Sequence, residues 1–267
     1  MDKDIEASLH RIILVKIGGS TLGSHDTTLD DLVTLQRRGV CPVVVHGGGN
    51  RVSEWLKKME IATSFVRGLR VTDGKTIQVV IAVLAGLVNK ELVAAILSRG
   101  GKAVGLSGID GGMIQAIIQN PEMGYVGEVV RVNPEPVEAI LCAGYIPVIA
   151  PGGFRVLSED KDPVRLLNIN ADVIASEIAV ALKAEKLIFL TDVPGIRDSE
   201  GKPLSLLSPE EARALIASGV ISGGMIPKVG ACIRALSAVH SAQIIDGRPA
   251  GALLAAIEGN ITGTRIG

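Results

Sequence analysis

Short, unbroken apolar runs alternate along this chain with longer stretches whose apolar positions recur at helical spacing. Runs at 12–17, 42–46, 103–106, 146–150, 186–191 and 243–246 are rich in Val and Ile and lack polar alternation. That pattern predicts parallel strands buried on both faces. Helical periodicity marks 51–59, 74–98, 136–143, 171–183, 209–218 and 229–239. Strand and helix in turn predict an α/β fold, with helices on both faces of a central, mainly parallel open sheet. Residues 113–132 alternate more cleanly and are expected to form an antiparallel excursion near one edge. A coarse division falls near residue 165, giving segments 1–165 and 166–267 without a low-complexity linker.

Composition narrows the class. The 267 residues are 47% apolar and carry a net charge of -1, which supports a sizeable core and argues against a generic polyanion binder. Aromatic residues at 2% leave no stacking platform for single-stranded nucleic acid. Cys41, Cys142 and Cys232 show neither metal nor redox-motif spacing and are expected to be reduced core thiols of a cytoplasmic protein. No unbroken apolar run reaches ~18 residues, and no signal peptide is evident, so no membrane partner is expected.

Two strand ends carry matching chemistry. LVKIGGS (14–20) and VVVHGGGN (43–50) each pass from an apolar run to a basic residue and then to glycines. In an open parallel sheet, ligands bind beyond the carboxyl ends of the strands. Glycine there brings backbone N–H groups close to phosphate or carboxylate. Two such loops, one with Lys16 and one with His46, suggest two anionic groups side by side. Asn170 is a plausible helix N-cap, with Asp172 in the first turn. Asp192 ends a strand before a Pro-Gly turn that could hold a ribose or base, and Lys228 follows a double glycine near a helix entrance. For His46 a structural hydrogen bond is the expected role. P-loop, Rossmann dinucleotide, nucleophile-elbow, zinc-protease and protein-kinase signatures are absent from the sequence.

The stretches KIGGS, VVHGGGN, GLRVTD, GLVNKELVAAI, GLSGIDG, GEVVRVNPEPVEAILCAGYIPVIAP, NINAD, LIFLTDVPGI, GGMIPKV and IIDGR occur in order and span nearly the whole chain. On these motifs the sequence resembles the amino acid kinase family, and within it the kinases that act on N-acetyl-L-glutamate. Departures are the unusual GGFRVLSEDKDPVRLL (152–167), Ile109 where lysine is common, and the loosely similar tail GNITGTRIG.

The resemblance implies a three-layer αβα sandwich of the carbamate kinase-like type. It implies transfer of the γ-phosphoryl of ATP, with Mg²⁺ held mainly by the nucleotide phosphates, to the side-chain carboxylate of N-acetyl-L-glutamate, the second step of arginine synthesis. Segment 1–165 would bind the amino acid and form a homodimer through the apolar stretch after residue 74; segment 166–267 would bind the nucleotide. Lys16, Lys228 and Asp172 would be catalytic. Gly48, Gly49, Arg70 and Asn168 would hold the amino acid. Lys16, Gly18, Gly19, Asp192, Gly195 and Lys228 would contact ATP, and no residue would be a dedicated metal ligand. Alternatives are a kinase for carrier-protein-linked aminoadipate or glutamate, and a non-catalytic amino-acid sensor on the same fold. The short stretch MDKDIEASLHR before the first strand leads to the expectation of weak or no arginine inhibition.

Overall fold

The structure is a computed structural model that describes residues 11–18, 27–66, 68–156, 165–260 and 263–267. Expectations resting on Gly19, on residues 1–10 and on 157–164 fall outside the described residues.

Eight strands form the central sheet, in the order β12-β14-β13-β11-β1-β2-β8-β5. They are β1 (Ile12–Ile17), β2 (Cys41–His46), β5 (Ala103–Ser107), β8 (Ile146–Ala150), β11 (Lys186–Thr191), β12 (Leu206–Leu207), β13 (Ser241–Asp246) and β14 (Thr264–Ile266). All neighbours run parallel except β13 and β14. The sheet is continuous across both halves of the chain. β1 lies between β2, its successor, and β11, which enters only after residue 185. The order therefore reverses around β1, where an open α/β sheet forms its crevice.

Residue alternation along β1 decides what reaches that crevice. Ile12 and Leu14 face one core, built with α4 (Glu135–Cys142), α5 (Ala171–Ala181), α6 (Pro209–Ala217) and α7 (Met225–Ala235). Ile13, Val15 and Ile17 face the other, built with α1 (Thr28–Arg37), α2 (Gly49–Lys58), α3 (Gly74–Leu97) and α8 (Ala252–Ile257). The two-residue period puts Lys16 on the first face and, one strand over, His46 on the second. Two covered faces make the three-layer sandwich expected from the sequence.

α3 starts at Asp73, whose Oδ1 accepts from the N–H groups of Lys75 (3.1 Å) and Thr76 (2.7 Å). Its middle, Ala82–Val88, widens to π geometry. The helix has 24 residues and a mean hydropathy of 2.1 over its most apolar window, long and apolar enough to cross a membrane. One face nevertheless belongs to the core: Ile77, Val80, Leu84, Val88, Leu92 and Ile96 are buried.

The expected antiparallel excursion is a four-stranded sheet, β10-β9-β6-β7 (Leu166–Leu167, Gly153–Arg155, Ile114–Ile118, Gly127–Val132). Near it lies a small hairpin, β3 (Phe65–Val66) and β4 (Leu69–Arg70). One boundary needs correction. The helix read as 229–239 begins at Met225, so Lys228 lies inside its first turns rather than ahead of it. Pro227 is compatible with that position, because the first turn of a helix leaves its N–H groups unpaired in any case.

Candidate active site

Lys16, Asp172 and Lys228 meet at the carboxyl end of β1. Asp172 Oδ1 lies 2.7 Å from Lys16 Nζ, and Oδ2 lies 3.1 Å from Lys228 Nζ. Each comes from a different element. Lys16 is the penultimate residue of β1. Asp172 sits in the first turn of α5, below Asn170, whose side-chain oxygen caps the N–H groups of Asp172 (2.7 Å) and Val173 (3.3 Å). Lys228 reaches over from α7, also donating to Gly224 O at 3.3 Å. Lys16 and Asp172 are buried, whereas the Lys228 side chain keeps 21% of its surface exposed. Burial lowers the pKa of Lys16; Asp172 opposes that, and the neighbouring Lys228 adds to it. One carboxylate facing two ammonium groups leaves a net positive centre, suited to a polyanion.

Beside it runs the second glycine loop. β2 ends at His46, Gly47 N–H donates to Ile17 O at 3.0 Å, and Gly48 precedes α2 with φ of 146°. That dihedral is open to glycine and strained for other residues. A Cβ there would also stand 2.7 Å from Leu84 Cδ2. Gly49 is the first residue of α2, so the unpaired N–H groups of that helix start face the crevice. The loop lines a pocket of ≈ 200 Å³ with Arg70, Asn168, Asn170, Phe65 and Leu84. Arg70 is held by three oxygen acceptors: Ser53 Oγ (2.7 Å), Thr63 Oγ1 (2.8 Å) and Gly49 O (3.0 Å). Its guanidinium lies 4.6 Å from the centre of the Phe65 ring. Asn168 donates to Thr72 Oγ1 (3.0 Å), and that hydroxyl donates to Arg70 O (2.7 Å). The expected amino-acid set of Gly48, Gly49, Arg70 and Asn168 is thus one contiguous wall.

The expected nucleotide set is more dispersed. Gly18 follows β1 beside Lys16, and Asp192 is exposed just past β11. Gly195 is buried, with φ of 126°, and a Cβ there would meet Thr264 Oγ1 at 2.7 Å. Its lack of a side chain serves that close approach rather than an open rim. Thr264 Oγ1 accepts from Ile196 N–H (2.8 Å) and donates to Leu204 O, tying the 192–204 loop to β14.

The sequence profile of the amino acid kinase family matches residues 11–246. The chain belongs to the amino acid kinase family. Among its relatives is an acetylglutamate kinase from Dehalococcoides mccartyi (strain CBDB1), 48% identical over 263 residues, covering 98% of this chain and 97% of the relative. A solved structure, smu.665 from Streptococcus mutans UA159, superposes with a TM-score of 0.79 at 29% identity, over 96% of this chain and 98% of that one. A carbamate kinase from Giardia lamblia bound to AMP-PNP shares the fold at a TM-score of 0.69 and 15% identity, over 97% and 99% of the two chains.

In this amino acid kinase, no three His, Cys, Asp or Glu side chains cluster as a metal site among the described residues. Both Asp172 oxygens are engaged by lysines. Two ammonium groups around one shared carboxylate suit the oxygens of an anionic group. Four residues of the site went unread in the sequence. Ser53 and Thr63 orient Arg70, Thr72 links Arg70 to Asn168, and Asn89 backs the glycine loop. Thr72 and Asn89 stood in quoted motifs, GLRVTD and GLVNKELVAAI. Ser53 and Thr63 gave no signal, because a hydroxyl on a helix or in a loop is ordinary until its partner is known.

Proposed function

We propose that this protein is an acetylglutamate kinase: it transfers the γ-phosphoryl of ATP to the side-chain carboxylate of N-acetyl-L-glutamate, giving an acyl phosphate for arginine synthesis. The observation that carries the reading is the Lys16–Asp172–Lys228 cluster abutting a pocket walled by Arg70 and a double-glycine helix start. The near full-length likeness to the Dehalococcoides acetylglutamate kinase supports it.

The acceptor needs no general base, since a carboxylate with a reference pKa of ~4.3 is ionised at neutral pH. The obstacle is one anion attacking another, and positioning plus charge neutralisation removes it. Lys16 neutralises the transferring phosphoryl group. Lys228 neutralises the leaving phosphate, and its greater exposure suits a side chain that follows nucleotide entry. Asp172 orients both. Gly48 and Gly49 N–H groups receive the reacting carboxylate. Arg70 pairs with the α-carboxylate and Asn168 with the acetamido group. Gly18, Gly19, Asp192 and the loop at Gly195 border the nucleotide. A Mg²⁺ ion entering with the nucleotide would supply further charge neutralisation. Segment 1–165 then holds the amino acid and segment 166–267 the nucleotide.

The assembly is a cytoplasmic homodimer in this reading. An apolar groove of ≈ 550 Å³ between α2 and α3, lined by Trp55, Met59, Ile61, Val79, Val83 and Leu87, supports a subunit contact there. Trapping the product as a hydroxamate, with N-acetylglutamate, glutamate, aspartate and UMP compared side by side, tests the activity. Preference for any acceptor other than N-acetylglutamate defeats the proposal. Light scattering of the eluted protein tests the dimer, which a monomeric mass defeats.

A further inference from the structure

His46 has no part in the chemistry proposed above, yet it is fully buried between the glycine loop and α3. Its Nδ1 lies 2.7 Å from Gly47 O, and its Nε2 lies 3.2 Å from Asn89 Nδ2. A carbonyl only accepts, so Nδ1 carries the proton and Nε2 is the bare acceptor. The orientation of Asn89 is fixed independently. The two hydrogens on its Nδ2 are shared among Val148 O (2.8 Å), Leu106 O (3.2 Å) and His46 Nε2 (3.2 Å), while its Oδ1 accepts from Lys90 Nζ (3.0 Å). One directed chain thus runs from the Lys90 ammonium through Asn89 and His46 to the Gly47 carbonyl. Gly105 lets α3 come close enough, since a Cβ there would stand 2.0 Å from Asn89 Oδ1. Burial, against the Gly47 contact and with Lys16 and Lys90 nearby, lowers the His46 pKa to about 4. The imidazole is therefore neutral in the working range.

We propose that His46, clamped by Asn89, is a positioning residue that fixes the Gly47–Gly48 peptide plane and so aims the Gly48 N–H at the reacting carboxylate. The peptide is planar and trans, so its C=O and N–H point in opposite directions. Holding the carbonyl against His46 on the α3 side turns the Gly48 N–H toward the pocket. Two adjacent glycines impose little torsional preference of their own, and a flipped peptide would present a carbonyl to an anion instead. Gly47 N–H, bound to Ile17 O, pins the other side of the residue but not that plane. The inference rests on the acetylglutamate kinase reading for its substrate, but the tautomer and the clamp do not.

The test has an activity-independent arm. Nitrogen-15 NMR of the imidazole in the folded protein should show His46 protonated at Nδ1 and bare at Nε2; the reverse tautomer overturns the proposal. The kinetic arm compares His46→Asn, which keeps a donor near the Nδ1 position, with His46→Gln, which moves the donor to the Nε2 position. H46N should hold kcat within about fivefold. H46Q should lose at least about 10-fold in kcat, up to the ~10²-fold typical of removing one oxyanion donor, with KM for ATP unchanged. Equal kcat in the two folded variants overturns the proposal. A wild-type protein that makes no acyl phosphate from N-acetylglutamate defeats the functional reading instead, and the NMR result still decides the clamp.

Discussion

Lys16 Nζ and Asp172 Oδ1 are 2.7 Å apart and almost wholly enclosed, a buried ion pair at the one point where the strand order reverses. Desolvation lowers the Lys16 pKa, and Asp172 is the principal force holding it up. Charge on Lys16 is lost as pH rises through that lowered value. Removing the carboxylate lowers it further, so the loss comes at still lower pH. Asp172→Asn should therefore cut kcat and move the alkaline limb of the kcat profile to lower pH. A profile measured from neutral to alkaline pH checks this; an unmoved limb removes Asp172 from its orienting role. Breaking one partner from a buried pair also costs on the order of 3–5 kcal/mol, so unfolding must be followed in parallel.

Lys228 is the solvent-facing member of the cluster, and its charge is worth most when the leaving phosphate develops its own. Lys228→Met should lower turnover by on the order of 10²–10³-fold while KM for N-acetylglutamate changes little. Steady-state kinetics with both substrates decide the matter. Normal turnover with only a raised KM would take Lys228 out of the chemistry.

Arg70 presents a planar fork, pre-set by Ser53, Thr63 and Gly49 O. Lysine carries the charge without that geometry. Arg70→Lys should mainly raise KM for N-acetylglutamate and leave KM for ATP within a factor of about two. The opposite split, ATP affected and the amino acid not, contradicts the pocket assignment.

Much of this site was legible because strand ends and glycines leave a local signature. Lys16 and Gly18 at the end of β1, the second glycine loop after His46, Asn170 as an N-cap and Asp172 in the first turn of α5 all stand where the sequence put them. What escaped depends on contacts between distant segments. α1 has apolar residues at 29, 32, 33 and 35 and acids at 30 and 31, but at ten residues it is short for periodicity to stand out. α8, Ala252–Ile257, is only six residues long, too short for periodicity to stand out. β14 runs antiparallel to β13 and was masked by a glycine- and threonine-rich tail. Gly195 illustrates the limit at the level of one residue. Its motif was read correctly as a loop, but only the fold shows that Thr264 requires its missing side chain.

Gly48 combines a φ of 146° with Leu84 packed 2.7 Å from where a Cβ would stand. Gly48→Ala should remove nearly all activity. Shortening the neighbour as well, in a Gly48→Ala/Leu84→Ala double variant, should relieve the clash without restoring kcat, because the backbone strain remains. Recovery of wild-type turnover in the double variant would show that crowding alone was at fault.

Thr264 offers a test at the nucleotide end that leaves the lysine cluster untouched. Its hydroxyl is buried, accepts from Ile196 N–H and donates to Leu204 O. Valine has nearly the same shape and no hydroxyl, so Thr264→Val strands two buried backbone groups at about 1–3 kcal/mol each. Ile196 lies within the loop that begins at Asp192 and Leu204 closes it, so the change loosens that loop while the amino-acid wall is unaffected. The expected outcome is a lower melting temperature and a several-fold higher KM for ATP, with KM for N-acetylglutamate preserved. Thermal unfolding followed with and without saturating ATP adds a second reading, since a ligand that binds only the folded state stabilises it by mass action. Weaker binding to the loosened loop should shrink the shift that ATP produces in T264V relative to wild type at the same concentration. An unchanged ATP shift, alongside a plain loss of stability, would place the nucleotide away from the 192–204 loop.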